Sequence, residues 1–185
     1  MKLARYALLL LFASTLVVAQ NSVPQTAADL AKQRPTAKPS DVATLEHILA
    51  ATYDVISGAP GPRNWDRFRS LFLPGARLTA AEKSRKSNAD VVVEMTVDDY
   101  IKGAGDYFLK EGFFENPMET KTVRFGNVAH SFSSYESHHA PGDKAFERGI
   151  NSFQFAWDGQ RWWVVSILWD SERPDNPIPA EMDKK

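Results

Sequence analysis

Residues Phe146 to Ser171, FERGINSFQFAWDGQRWWVVSILWDS, are the stretch that decides the fold. Two runs rich in aromatic and β-branched residues flank Asp158-Gly159, a dipeptide that readily adopts the positive φ angles of a two-residue hairpin turn. The sequence therefore predicts a long antiparallel hairpin near the C-terminal end of the chain.

A two-residue turn also predicts which residues of the hairpin share a face. Phe155 would lie opposite Trp162, and Asn151 opposite Ser166. The other face would carry the apolar residues Trp163, Val165, Ile167 and Trp169. Because neither face is polar throughout, we expect helices to cover one and a second copy of the chain to cover the other. The pattern thus predicts a homodimer formed through the sheet.

Upstream of the hairpin, the apolar residues first follow a helical period and then alternate. Ser40 is expected to cap a helix that ends at Gly58, Asn64 caps a second, and Thr96 with Asp99 forms a capping box for a third. Beyond Gly112 the pattern is that of strands. The predicted strands are residues 76–80, 91–95, 113–114, 120–125, 128–138, 146–157 and 161–171. Helices followed by an antiparallel sheet are typical of an α+β domain.

The N-terminal residues have the pattern of a secretory signal. Lys2 and Arg5 precede an apolar run of about 13 residues, shorter than the roughly 20 that a membrane span needs, and Val17-x-Ala19 suits cleavage. We expect a signal peptide at 1–19 and a secreted or periplasmic protein; the alternative is an uncleaved anchor. Residues 20–39 are predicted to be a flexible linker, 40–172 the domain, and 173–185 a loose tail.

Composition excludes several classes of partner. Lys plus Arg is 22 and Asp plus Glu is 23, so the net charge of −1 offers no field for nucleic acid or, after signal cleavage, for a membrane surface. The chain has no cysteine, and His138-His139 are adjacent strand residues that point to opposite faces. We therefore expect neither a metal site nor a cofactor.

Three elements together carry a resemblance to a known family. They are an aromatic residue late in the first helix, the short helix Trp65-Asp66-x-Phe68-x-x-Leu71-Phe72, and the meander closed by Asp158-Gly159-x-x-Trp162. Over residues 41–171 the chain resembles SnoaL-like members of the NTF2-like superfamily. The resemblance implies a small cone in which three N-terminal helices pack on a strongly bent antiparallel sheet and enclose a pocket. It does not imply one function, because the superfamily includes isomerases, cyclases, dehydratases, binding modules and assembly domains.

The resemblance also suggests roles for three residues. In ketosteroid isomerases of the superfamily a tyrosine and a protonated aspartate donate to the developing oxyanion, and a carboxylate moves the proton. The matching positions here are Tyr53, Asn151 and Ala80. With alanine in place of the base, ketosteroid isomerase activity is not expected.

Candidate ligand-binding residues follow from these patterns. They are Tyr53, Trp65, His130, Asn151, Phe153 and Trp162. His130 is the best catalytic candidate, since histidine titrates near neutral pH. Each polar candidate has a structural alternative: Tyr53 as a core aromatic, Asn151 as a tether for a loop, and His130 as a satisfied structural histidine.

Carboxylates near one end of the hairpin are a further candidate. Glu147 and Asp170 would face each other in the predicted pairing, with Arg148 nearby. This indicates either an acid pair or a salt-bridged sheet edge.

Three functions remain open at this level. The first is a secreted domain that binds a small, mainly apolar ligand between helices and sheet. The second is a SnoaL-type, isomerase-like or dehydratase-like enzyme that uses His130. The third is a homodimeric scaffold whose cavity is filled. An open pocket with a titratable group favours an enzyme, and an open pocket lined by amides and aromatic residues favours binding.

Overall fold

The computed structural model describes residues 23–84 and 86–184, so the predicted signal peptide at 1–19 lies outside the described residues. In chain order the helices are α1 (Ala27–Ala31), α2 (Pro39–Val42), α3 (Leu45–Ile56), α4 (Trp65–Leu71) and α5 (Val97–Lys110). The strands are β1 (Phe72–Lys83), β2 (Asp90–Thr96), β3 (Phe114–Phe125), β4 (Val128–His138), β5 (Glu147–Trp157) and β6 (Trp162–Ser171). A short 3₁₀ helix, Ala180–Met182, lies in the tail.

The strands form one six-stranded sheet in the order β2-β1-β6-β5-β4-β3. All neighbours are antiparallel except β1 and β6, which run parallel because the chain crosses over between them. Helices α3, α4 and α5 cover one face, which we call the inner face, and their apolar residues form the core with it. The predicted α+β class is confirmed, with the addition of a parallel pair.

Side-chain caps define where the helices begin. Asn64 accepts from the Arg67 N–H at 2.9 Å, and Thr96 and Asp99 form the predicted capping box of α5. The expected start of the first long helix at Ser40 is wrong. Thr44, with extended φ and ψ angles, accepts from the His47 N–H and separates α2 from α3.

The register of the β5–β6 hairpin differs from the predicted one. The connection is longer than two residues, because Asp158 accepts from the N–H groups of Gln160 and Arg161, both at 2.8 Å. Trp157 therefore pairs with Trp162, and the pairing shifts again at a bulge in β6 between Val164 and Ser166.

The bulge reverses the face on which each later residue of β6 lies, relative to the prediction. Asn151 pairs with Trp169 and Phe153 with Ile167, so Ile167 and Trp169 lie on the inner face, not on the outer face as predicted. Ile167 is 7 % exposed. One extra residue is enough for this change because side chains alternate with a period of two.

The outer face of the sheet is partly covered by both ends of the chain. Near Trp163, the segment before α3 packs on the sheet, and Arg34 in that segment donates to the carbonyls of Phe72 and Leu73. The expected flexible linker thus contains α1 and makes ordered contacts. The tail differs from its expected loose state as well, since Met182 is buried and its carbonyl accepts from Ser134 Oγ at 2.6 Å.

The rest of the outer face carries exposed polar residues, such as Lys121 and Gln154, together with exposed apolar ones. The exposed large apolar residues on it include Val123, Phe125, Val128, Phe132 and Leu168. Among the helices of the described ranges, none has the length and apolar character that a membrane span requires.

Candidate functional site

A cavity of about 150 Å³ lies between the helices and the inner face of the sheet. Helix α3 contributes Tyr53, α4 contributes Phe68 and α5 contributes Tyr100. The remaining wall residues are Thr52, Ile56, Leu78, Phe113, Glu115, Tyr135, Glu147, Asn151, Phe153, Ile167 and Trp169. The cavity is therefore mainly apolar and aromatic, with a few polar groups, as small-molecule sites usually are.

Asn151 connects two of these polar groups. Its amide nitrogen lies 3.2 Å from Tyr53 Oη and 3.1 Å from Glu115 Oε1, and it donates to both. Tyr53 in turn donates to Ser133 Oγ at 2.9 Å. Because Asn151 is only 7 % exposed, its two hydrogen bonds satisfy a side-chain amide that would otherwise be buried without partners.

Glu115 is the titratable group of the cavity. Burial raises the pKa of its carboxyl to about 7, although donation from Asn151 opposes that rise; the negative charge of Glu147 raises the pKa further and Ser137 lowers it. A carboxyl with a pKa near 7 exchanges its proton readily at neutral pH, which suits a general acid or base.

Glu147 enters the same cavity from β5. Ser137 of β4 pairs with Glu115 on one side and with Glu147 on the other, so the two glutamates lie on the same face two strands apart. Strand spacing puts their Cα atoms roughly 9.5 Å apart. Ser171 donates to Glu147 Oε1 at 2.5 Å. Two acids thus share one cavity.

Two further tyrosines line the cavity beside the acids. Burial raises the pKa of Tyr100 and of Tyr135, and the negative charges of Glu115 and Glu147 raise both pKa values further. Tyr135 lies over Gly149, where a Cβ atom would stand 2.6 Å from its hydroxyl oxygen. The glycine therefore makes room for this tyrosine.

The structure brings half of the six predicted binding residues together. Tyr53, Asn151 and Phe153 line the cavity, with the rings of Tyr53 and Phe153 in edge contact at 5.9 Å. Trp162 is buried on the same face but close to the hairpin turn, where Arg124 covers its ring.

Trp65 and His130 lie elsewhere. Trp65 stacks on Phe108 between α4 and α5, away from the cavity. His130 is on the outer face, where its Nε2 is 2.9 Å from Ser152 Oγ. The alternation of residues along a strand does not by itself determine which face packs against the helices. In β4 the residues on the inner face include serines, whereas His130 lies on the outer face. His130 is therefore not the acid or base of this pocket.

Glu115 was not among the predicted site residues. The sequence contains a signal for it, since Glu115 alternates with Phe113 at the start of a strand, but the strands expected here, 113–114 and 120–125, left residue 115 between them. Glu147 was identified, but with Asp170 as its partner. Asp170 instead pairs with Arg173 at 2.5 Å, and Arg148 with Glu172 at 2.9 Å. Of Glu147, Arg148 and Asp170, Glu147 is the one that lines the cavity.

Ala80, the position matched to an isomerase base, is buried on β1 beside Trp169. The carboxyls of the cavity come instead from β3 and β5. The absence of ketosteroid isomerase activity stays a prediction. Within residues 23–84 and 86–184, no three potential metal-ligating side chains meet at one point.

Comparison with known proteins identifies the fold. No protein-family model matches the sequence, and no curated protein matches it. A solved structure of a candidate NTF2-like dehydratase from Streptomyces avermitilis is similar, with a TM-score of 0.54, 10% identity, and 72% of this chain and 96% of that chain covered. The β subunit of a candidate aromatic-ring-hydroxylating dioxygenase from Novosphingobium aromaticivorans is also similar. Its TM-score is 0.53 at 12% identity, with 74% of this chain and 95% of that chain covered.

A protein of unknown function with a cystatin-like fold from Nostoc punctiforme gives a TM-score of 0.54 at 9% identity, over 82% of this chain and 97% of that chain. Identities this low carry information on the fold alone, and not on activity. The chain has the α+β fold of the NTF2-like proteins.

Proposed function

We propose that the protein binds a small, mainly apolar molecule in the cavity between the helices and the sheet. The observation that carries the proposal is the combination of an apolar wall with the joined polar groups of Tyr53, Asn151 and Glu115. A volume of about 150 Å³ suits a ligand of about one aromatic ring. Side chains do not fill this space, which speaks against a scaffold with a filled core.

The test is a screen of one-ring compounds by NMR, with ligand position read from the shifts of assigned ring protons. Binding in the cavity perturbs Phe153 and Tyr53 while His130, on the outer face of the sheet, stays unchanged. If compounds perturb no cavity residue at millimolar concentration, or perturb His130 alone, the proposal is wrong.

Proton transfer on the bound molecule is a second candidate function, favoured by one observation. Glu115 has a pKa near 7 inside an apolar cavity, as a general acid or base requires. This hypothesis replaces His130 with Glu115 as the catalytic candidate. Exchange of the α protons of acetophenone in D₂O tests it: the purified protein accelerates the exchange and the Glu115→Gln variant does not. Equal rates for both proteins contradict proton transfer by Glu115.

We also propose that two copies of the chain associate through the outer face of the sheet. Support comes from the exposed apolar residues on that face, since exposed apolar patches often mark protein–protein contacts. The residues differ from those first expected, because Ile167 and Trp169 face inward.

Export with removal of residues 1–19 is proposed on the sequence pattern alone. The intact mass of protein recovered from a secreting host tests it. A mass that lacks Met1 to Ala19 supports export, and a full-length protein in the membrane fraction contradicts it.

A further inference from the structure

The described residues of the cavity wall include two carboxyl groups and no basic side chain. Glu115 and Glu147 are among its wall residues, and none of the described wall residues is a lysine, arginine or histidine. Their hydrogen-bond partners are neutral: Asn151 and Ser137 for Glu115, and Ser171 for Glu147. Buried carboxylates are normally paired with a cation or a metal ion. Here the protein supplies no such partner among the residues that line the cavity.

Aromatic rings surround these acids. The rings in the wall are those of Tyr53, Phe68, Tyr100, Phe113, Tyr135, Phe153 and Trp169. The faces of such rings attract ammonium groups, and aromatic cages of this kind recognise methylated amines. The aromatic wall is independent of the acids, and both features favour the same ligand chemistry.

We propose that the cavity selects a small organic cation, either a protonated amine or a quaternary ammonium that carries an apolar group of about one ring. The inference rests on the proposed function and narrows its ligand class. A neutral carbonyl compound or alcohol can use the Asn151 amide, but it leaves both carboxyls unpaired. A carboxylate ligand adds a third negative charge and is excluded.

The positions of the acids suggest how the cation lies. Glu115 and Glu147 flank Ser137 at one end of the inner face, whereas Phe153 and Ile167 are paired further along the sheet. The ammonium group therefore lies between the two carboxyls, and the apolar group extends towards Phe153 and Ile167. The charged end of the ligand then contacts carboxyl groups, and its apolar end contacts apolar side chains.

Binding of a cation is coupled to the protonation of Glu115. The titratable groups that face it are Glu147 on β5, Tyr53 on α3, Tyr100 on α5 and Tyr135 on β4. The tyrosines stay neutral because their pKa values are raised, so the two glutamates dominate. A cation favours the ionised form of Glu115, and protons compete with it below pH 7. Affinity for the cation therefore rises from pH 5 to pH 8.

Matched ligands test the inference with the purified protein. Benzylamine, benzyl alcohol and benzoate share one ring and differ in charge. The corresponding cyclohexylmethyl compounds and the open-chain butyl compounds give two further sets that differ in charge. We expect each amine to bind about tenfold more tightly than its alcohol at pH 8, since charge-assisted contacts are roughly twice as strong as neutral ones. Glu115→Gln and Glu147→Gln should each bring the ratio of alcohol Kd to amine Kd down towards one, because glutamine keeps the shape and an acceptor oxygen of the side chain but removes its charge. Glu111→Gln, exposed at the end of α5, is the matched control.

The outcomes separate this inference from the proposed function. If the alcohols bind as tightly as the amines, or if neither glutamine variant changes the preference, selection of a cation is wrong while binding in the cavity stands. If no member of any set binds, the proposed function fails and the inference fails with it. An amine affinity that does not change from pH 5 to pH 8 also contradicts the inference.

Discussion

The Asn151 amide lies 3.1 Å from the Glu115 carboxyl, and these two residues come from strands that are not neighbours in the sheet. Strand β4 lies between them and contributes Ser133, which is paired with Asn151 and bonded to Tyr53. The contact therefore joins β3, β4, β5 and α3 around one side of the cavity. It also makes the protonation state of Glu115 depend on Asn151.

Replacing Asn151 with leucine should raise the pKa of Glu115 above about 7, because the amide hydrogen bond that lowers it is lost. A lost polar contact costs about 0.5 to 1.5 kcal/mol, so ligand affinity should fall several-fold. NMR titration of the labelled glutamate carboxyls and binding of a screened ligand measure the two effects. Gln154→Leu, on the same strand but exposed on the outer face, is the control. An unchanged Glu115 pKa and ligand affinity would contradict this role for Asn151, whereas unfolding of the variant would mark it as a structural tether.

Glu115 should make the protein less stable as pH rises. Its pKa is about 7 in the folded protein and 4.5 in the unfolded chain, so between these values the unfolded chain loses a proton that the folded chain keeps. The free energy of unfolding is unaffected below pH 4.5, falls between pH 4.5 and 7, and then stays lower by about 3 kcal/mol.

The Glu115→Gln variant separates this effect from other titrations. It should be more stable than the parent at pH 8 by an amount of that order and nearly equal to it at pH 4.5, as measured by urea unfolding. The exposed Glu111→Gln variant should follow the parent at both pH values. A Glu115→Gln protein that is less stable than the parent at pH 8 would show that the fold stabilises the ionised carboxyl, which contradicts a pKa raised by burial.

Gly149 should not tolerate a methyl group. A Cβ atom there would meet the Asp170 carbonyl and would lie 2.6 Å from the Tyr135 hydroxyl oxygen, so the backbone or the tyrosine must move. We expect Gly149→Ala to cost about 1 to 3 kcal/mol, as overpacking usually does. Gly103→Ala, in open space on α5, should instead add up to about 1 kcal/mol through helix propensity. Thermal unfolding compares the two variants, and equal midpoints would contradict close packing at Gly149.

Lysine substitutions on the outer face should give monomers. Phe132 and Leu168 are exposed on that face, and a lysine at either position charges the proposed contact without entering the core. Sedimentation at micromolar concentration measures the change from dimer to monomer. Leu109→Lys, exposed on α5, should leave the dimer unchanged. A parent protein that is monomeric under these conditions contradicts the proposed dimer.

The tail should detach when its anchor is removed. Met182 is 2 % exposed, and Arg148 bonds to both Glu172 and Asp183 beside it. Met182→Ala loses about 2 kcal/mol or more of packing, enough to open a segment at the chain end while the sheet stays folded. Hydrogen exchange of residues 173–184 should accelerate about tenfold or more, since 1.4 kcal/mol is a factor of ten. Glu181→Ala, whose side chain is exposed, should exchange like the parent.

Local interactions could be predicted from the sequence because the atoms that make them lie within a few residues. The Asn64 cap, the Thr96–Asp99 box and the change from helical to alternating periodicity are all of this kind. They determine the order of the helices and strands, and hence the α+β class. Asn151 beside Phe153 belongs here too, because a polar residue in an apolar strand indicates a buried partner or a pocket.

Only the tertiary structure decided which residues meet across the sheet. The bulge in β6 turns Ile167 and Trp169 inward, where the helices bury them, and no local signal marks it. The face of β4 that meets α3 excluded His130 and placed Ser133 under Tyr53. Glu115 and Glu147 are 32 residues apart and share a cavity because Ser137 pairs with both. Strand register and burial depend on contacts summed over the whole sheet, which the periodicity of any one segment does not contain.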